Sequence, residues 1–221
     1  MKRALILLAL AGLSAAPAAA QWEGMPVWNN PKGGTGVTIS GDFGKPNTDA
    51  REGTAWGARA TLGLVNLSLT AGLATWKPQG YSESRTSTGG VAAFRVIGGS
   101  LLPVALNIQL GGATATAIGT GANAFEAKRT NIIAGAGISA SVPSPGVNIE
   151  PYLSVTNRWH TRKLSGVSST ESNVGFTVGA NVGLGMLGLH LAYDSENLGG
   201  GLSAGIFGVG AHVALRAGMG M

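Results

Sequence analysis

From residue 35 to the end of the chain, apolar positions alternate with polar or small ones in run after run. Val37, Ile39, Gly41 and Phe43 alternate with Thr38, Ser40 and Asp42, and Leu67, Leu69, Ala71 and Leu73 with Ser68, Thr70, Gly72 and Ala74. A longer run sets Val174, Phe176, Val178, Ala180, Val182 and Leu184 against Gly175, Thr177, Gly179, Asn181 and Gly183. Successive side chains on a strand point to opposite faces, so each run makes one apolar face and one small or polar face. Ten strands are predicted, at 35–43, 54–65, 67–76, 89–100, 104–116, 128–142, 147–160, 171–185, 188–194 and 203–216. Past residue 20 no segment approaches eighteen consecutive apolar residues, which excludes membrane-spanning helices.

The connections carry the topology. Val65-Asn66, Leu101-Leu102-Pro103, Pro143-Ser144-Pro145-Gly146 and Met186-Leu187 are short, whereas 44–53, 77–88, 117–127, 161–170 and 195–202 are loops of eight to twelve residues. Short and long connections alternate strictly, the signature of an up-and-down meander with tight turns on one rim and loops on the other. An even strand count puts both ends of the meander on the short-turn side. Phe43, Trp56, Trp76, Trp159 and Tyr193 fall at strand ends next to the long loops, where an aromatic girdle would meet the membrane interface, and Tyr152 is the candidate at the opposite rim. Leu69 and Val178, mid-strand on the apolar parity, are expected to face lipid.

The first twenty residues read as an address. Lys2 and Arg3 precede the apolar run Ala4 to Leu13, and small residues end in Ala18-Ala19-Ala20, so a signal peptide at 1–20 cleaved before Gln21 is expected. No Cys follows for lipid attachment, and the absence of any Cys excludes a disulfide framework. The expected organisation is therefore a signal peptide (1–20), an N-terminal periplasmic segment (21–34) and a barrel (35–221). Without Lys2 and Arg3 the net charge falls from +5 to +3, and no basic run is interleaved with aromatics, so nucleic acid is not a partner. Gly makes up 37 residues, yet 44% of the chain is hydrophobic, which argues against a disordered Gly-rich segment.

On alternating strands, turn asymmetry and an export signal, the chain resembles the small outer-membrane β-barrel proteins over about residues 35–221. The resemblance implies an all-β fold, an up-and-down antiparallel transmembrane β-barrel of about ten strands, in the outer membrane of a diderm bacterium. It also implies two partners, outer-membrane lipid and the barrel-insertion machinery; chains of this kind usually end in an aromatic residue, where this one has Gly218-Met219-Gly220-Met221.

If one face is outward, Arg59, Arg95, Asn107, Gln109, Glu150, Arg158, His190, His212 and Arg216 line the lumen, with Ser139 and Asn181. Inward glycines would make room for Arg and Tyr side chains in a narrow barrel. Four inward Arg residues against Glu150 alternatively suggest an electropositive conduit with a weak preference for anions. His160, His190 and His212 lack metal-ligand spacing, and no Ser is placed beside His160 and Asp194 to act as a nucleophile. His160 is expected at the interface, facing solvent. Gly33-Gly34-Thr35-Gly36 and Gly199-Gly200-Gly201 lack a Gly-Lys-Ser/Thr ending and read as turns. No catalytic residue, cofactor or metal is expected. The function expected is that of an integral outer-membrane barrel with a structural or passive small-solute channel role. The alternatives are a surface adhesin or receptor acting through loops 77–88 and 161–170, which are expected outside, and an outer-membrane enzyme.

Overall fold

A computed structural model describes residues 22–98, 102–118, 128–164 and 167–215. The strands are β1 (Gly36–Pro46), β2 (Thr54–Leu64), β3 (Leu67–Lys77), β4 (Arg85–Ile97), β5 (Val104–Ala115), β6 (Lys128–Ala140), β7 (Val142–Ser144), β8 (Val147–Leu164), β9 (Val167–Leu184), β10 (Leu187–Gly199) and β11 (Leu202–Leu215). Each strand pairs antiparallel with its sequence neighbour, β6 pairs β8, and β1 pairs β11, which closes the wall. β7 continues β6 in the same register against β8. The ladder is interrupted where Pro151 of β8, with no N–H to donate, stands opposite Ala140. The barrel therefore has ten staves, as the alternation predicts.

Following paired residues from Leu184 through Leu187, Val213 and onward around the wall returns to β9 at Ser172, twelve residues from the start. A stagger of that size tilts the strands by about 40° to the axis. Eleven residues at about 3.3 Å each then span roughly 27 Å along the axis, the height of an outer-membrane apolar band. The outer surface has that character: Ile39, Leu110, Val178 and Leu189 are each 50% exposed or more. A soluble monomer does not present an apolar surface that encircles it. Leu69 also lies on this outward parity.

The turns between β2 and β3, β7 and β8, and β9 and β10 lie on one rim with the β4–β5 connection, as predicted. At the other rim four strands run further than alternation shows. β4 starts at Arg85, β8 and β9 continue as a hairpin through 161–164 and 167–170, and β10 continues to Gly199, so the loops expected at 161–170 and 195–202 are mostly strand. Both faces of the β8–β9 hairpin meet water. The period-two contrast disappears there while the backbone ladder, as in Thr161↔Thr170, goes on. Gly199, Gly200 and Gly201, all with positive φ, make the tight turn into β11.

The segment preceding β1 departs most from expectation. Residues 22–32 do not lie outside the barrel as a periplasmic segment; Trp22, Glu23, Met25, Val27, Trp28 and Asn29 are buried within the lumen. Residues 1–21, with the expected signal peptide and cleavage site, lie outside the described residues, as do Arg216 and Gly218–Met221.

Candidate functional site: a lumen occupied by the chain's own strap

The strap, residues 22–32, runs along the lumen from the loop rim to the turn rim. At the loop rim the Glu23 amide donates to Ser87 Oγ (3.0 Å), and Arg129 Nη1 lies 3.4 Å from Glu23 Oε1. Trp22 and Met25 pack with Ala55, Ala74, Trp76 and Ala113, and Val27 packs on Ile133 and Val91. Midway, Trp28 meets Tyr152 and Ala192, with the Arg59 guanidinium 4.9 Å from its ring centroid. Lower down, Asn29 and Asn107 exchange amide hydrogen bonds (2.8 and 3.2 Å). At the turn rim the Lys32 amide donates to Glu150 Oε1 (3.2 Å), Lys32 Nζ to Ser141 Oγ (2.8 Å), and Arg95 Nη1 to the Lys32 carbonyl (2.6 Å).

Two polar clusters surround the strap. Near the loop rim Arg158, fully buried, binds Asp194 with both terminal nitrogens (2.7 and 2.9 Å), Glu196 at 3.2 Å and Thr156 Oγ1 through Nε at 2.9 Å. Thr177 donates to Asp194, Asn173 to Glu196, and His160 sits between Glu196 (2.6 Å) and Asn131 (2.8 Å). In the middle Arg59 binds Asp42 (2.8 and 3.2 Å), His190 Nε2 lies 2.6 Å from the same carboxylate, and His212 lies 3.2 Å from His190. Among the described residues no three His, Asp or Glu side chains are grouped to hold a metal ion.

Of the residues expected in the lumen, Arg59, Arg95, Asn107, Gln109, Glu150, Arg158, His190 and His212 all turn inward, with Ser139 and Asn181. The glycine expectation holds in the same place: a Cβ at Gly175 would run into the Arg158 guanidinium, one at Gly208 into Pro26 and one at Gly137 into Asn29. Asp42, Asp194, Glu196 and the strap's Glu23 join Glu150 inside, so five carboxylates face Arg59, Arg85, Arg95, Arg129, Arg158 and the strap's Lys32. Asp42 stands on the polar parity and was legible there; Glu196 fell in a presumed loop, and Glu23 in a segment placed outside.

Three aromatic and histidine assignments also change. Trp76 is buried inside against Trp22, its Nε1 donating to the Glu52 carbonyl (3.0 Å), because its parity is that of the inner face. Tyr152, the candidate for the turn-rim girdle, is likewise internal, and His160 is buried rather than facing solvent. Phe43, Trp56, Trp159 and Tyr193 do point outward near the loop rim, Phe43 and Trp56 with ring centroids 4.9 Å apart. Phe176 and Phe207 join them from neighbouring strands.

Below and beside the strap a cavity of about 940 Å³ reaches the turn rim, lined among others by Thr38, Arg59, Thr70, Arg95, Asn148 and His212. At the loop rim a cavity of about 140 Å³ lies between Trp22, Arg51, Arg129 and His160. The lumen is a polar vestibule on one side and a packed, charge-paired layer on the other.

No family model matches the sequence, and no curated protein aligns with it. Among solved structures, Neisserial surface protein A is similar with a TM-score of 0.41 at 10% identity, over 81% of this chain and 96% of that one. The translocator domain of the autotransporter NalP from Neisseria meningitidis gives 0.39 at 16% identity (82% and 89% covered), and the N-terminal β-barrel domain of Pseudomonas aeruginosa OprF gives 0.35 at 9% (83% and 99%). With its closed ten-stave meander and apolar exterior, the chain has the architecture of the small outer-membrane β-barrels.

Proposed function

We propose that this chain is an integral outer-membrane barrel of a diderm bacterium whose lumen is closed at rest by residues 22–32. It acts as a structural barrel, and small solutes pass only when the strap is displaced. The strap itself carries this reading, because it is bonded or packed from Glu23 to Lys32 and fills the lumen beside a turn-rim vestibule of about 940 Å³, against about 140 Å³ between Trp22 and His160 at the loop rim. An anion or sugar needs a continuous hydrated path to cross, and indole rings and a buried ion-pair layer supply none. The expected signal peptide supports the same reading, since cleavage before Gln21 would leave the strap as the start of the mature chain.

The test is conductance in planar bilayers. The wild-type protein is expected to show no steady current, and a variant lacking residues 22–32 is expected to show discrete open steps, its folding checked by a heat-dependent shift on gels. Wild-type conductance equal to that of a folded deletion variant would overturn the reading. The projecting β8–β9 hairpin, with Val167 72% exposed beyond the barrel wall, favours a second role as a surface for an external partner. Loss of cell-surface binding on shortening that hairpin, with the barrel intact, would support it.

A further inference from the structure

Among the described residues, the Lys side chains on the outward face of the barrel stand at one rim. Lys45, Lys77, Lys128 and Lys163 all sit exposed on the outer parity at the loop ends of β1, β3, β6 and β8. At the turn rim the outward positions are apolar, as at Leu64, Ile97, Ile149 and Leu187, and among the described residues no strand presents Lys or Arg outward there. The strand acids Asp42, Glu150, Asp194 and Glu196 all turn inward, and Glu171 is taken by Arg162. None of the four lysines has an ion-pair partner among the described residues.

Two of them stand where a β-sheet disfavours them. Lys128 and Lys163 are directly opposite each other on adjacent strands. Like charges facing across a ladder repel, with Cβ atoms about 5 Å apart. That spacing lets two ammonium groups grip one phosphate. Below the pair come Thr130 opposite Thr161, then Ile132 opposite Trp159. With the strand tilt, the lysines stand about 10 Å beyond the Trp159 girdle position, at the depth of lipid headgroups. Thr161 also meets Thr170 of β9, Oγ1 to Oγ1 at 2.9 Å, so hydroxyls border the site on its lower side.

We propose that Lys128 and Lys163 form a binding site for the phosphate of an anionic glycolipid in the leaflet that surrounds the long loops, the threonine hydroxyls meeting its sugar. The proposal rests on the membrane-barrel reading. It identifies a fixed lipid on one side of the wall. Lys45 and Lys77, flanking Thr54 above the Phe43–Trp56 pair, repeat the arrangement more loosely across β1 to β3.

The probe is diphosphoryl lipid A, titrated by native mass spectrometry against the full mature chain folded in neutral detergent. Each lysine near a charged headgroup is expected to contribute about five-fold, so K128Q/K163Q should weaken binding about twenty-five-fold, and K128R/K163R should restore it. Equal binding by wild type and K128Q/K163Q overturns the proposal. Equal binding of dephosphorylated lipid A, or of phosphatidylglycerol, overturns it as well, since the first removes the phosphate and the second the sugar. The same preparations are first inserted into vesicles and tested for the heat-dependent gel shift. Failure to insert sinks the membrane reading and this proposal together, whereas insertion without phosphate-dependent binding sinks the proposal alone.

Discussion

Arg158 shows how much of this barrel's interior depends on a single side chain. It is fully buried and pairs two buried carboxylates, Asp194 and Glu196. Removing it leaves Asp194 with Thr177 and Glu196 with His160 and Asn173, and breaking a buried pair of this kind costs about 3 to 5 kcal/mol. Arg158→Ala should lower unfolding stability in vesicles by about that amount, measured by urea titration of tryptophan emission. A loss below about 1 kcal/mol would mean water reaches the cluster. Gly175→Ala approaches the same point from the opposite strand. Its methyl meets a guanidinium held at four places, so a cost of about 1 to 3 kcal/mol is expected in the same assay. On the outer face, Val178→Arg puts a cation against hydrocarbon at mid-strand, and about 2 to 4 kcal/mol should be lost in bilayers.

Among the elements, the strap is the one held by charge at its upper end and by hydrogen bonds at its lower end. Burial pushes the Glu23 carboxyl up, but Arg129 and Arg85 outweigh it, so this group ionises below its ordinary value of 4.5. A lowered carboxylate contributes docking free energy that is fully present above that ordinary value and is lost as pH falls through the lower, docked-state value. Acidification below about pH 4.5 should therefore loosen the strap. Met25, 1% exposed on the strap, reports this directly when its oxidation by peroxide is followed by mass spectrometry against the exposed Met186. Protection of Met25 at pH 7 should fade in acid, and Glu23→Gln should lower it at pH 7 and remove the pH dependence. Constant protection across that range would show that Glu23 does not hold the strap. The strands themselves were legible because a wall with lipid on one side and a filled lumen on the other imposes period two on every stave. Residues 22–32 carry no period because they touch the lumen on all sides, so Trp22, Met25, Val27 and Trp28 gave no strand or helix signal. The extension of β8 and β9 was hidden for the opposite reason, water on both faces.

For the whole molecule, the lumen's parity was readable and its electrostatic balance was not, since Asp194 and Glu196 meet Arg158 only after three strands are laid side by side. Orientation in the membrane follows from the loops: single Cys residues at Ser84 and Ser168 should react with an impermeant maleimide on intact cells. Reaction only after the outer membrane is permeabilised would turn the barrel over. The strap also bears on the order of assembly. Two indoles and a run of bonded side chains dock most readily while the seam is still open. Residues 22–32 are therefore expected to settle before β1 zips to β11, so that the chain closes around a segment made before any of its staves. Their contacts reach as far as Asn181, 152 positions from Asn29, so the nucleus is non-local and folding slow. Deleting the strap removes this ordering requirement, and seam closure in vesicles, followed by a fluorophore and quencher at Thr38 and Ala214, should become faster even as the finished barrel becomes less stable.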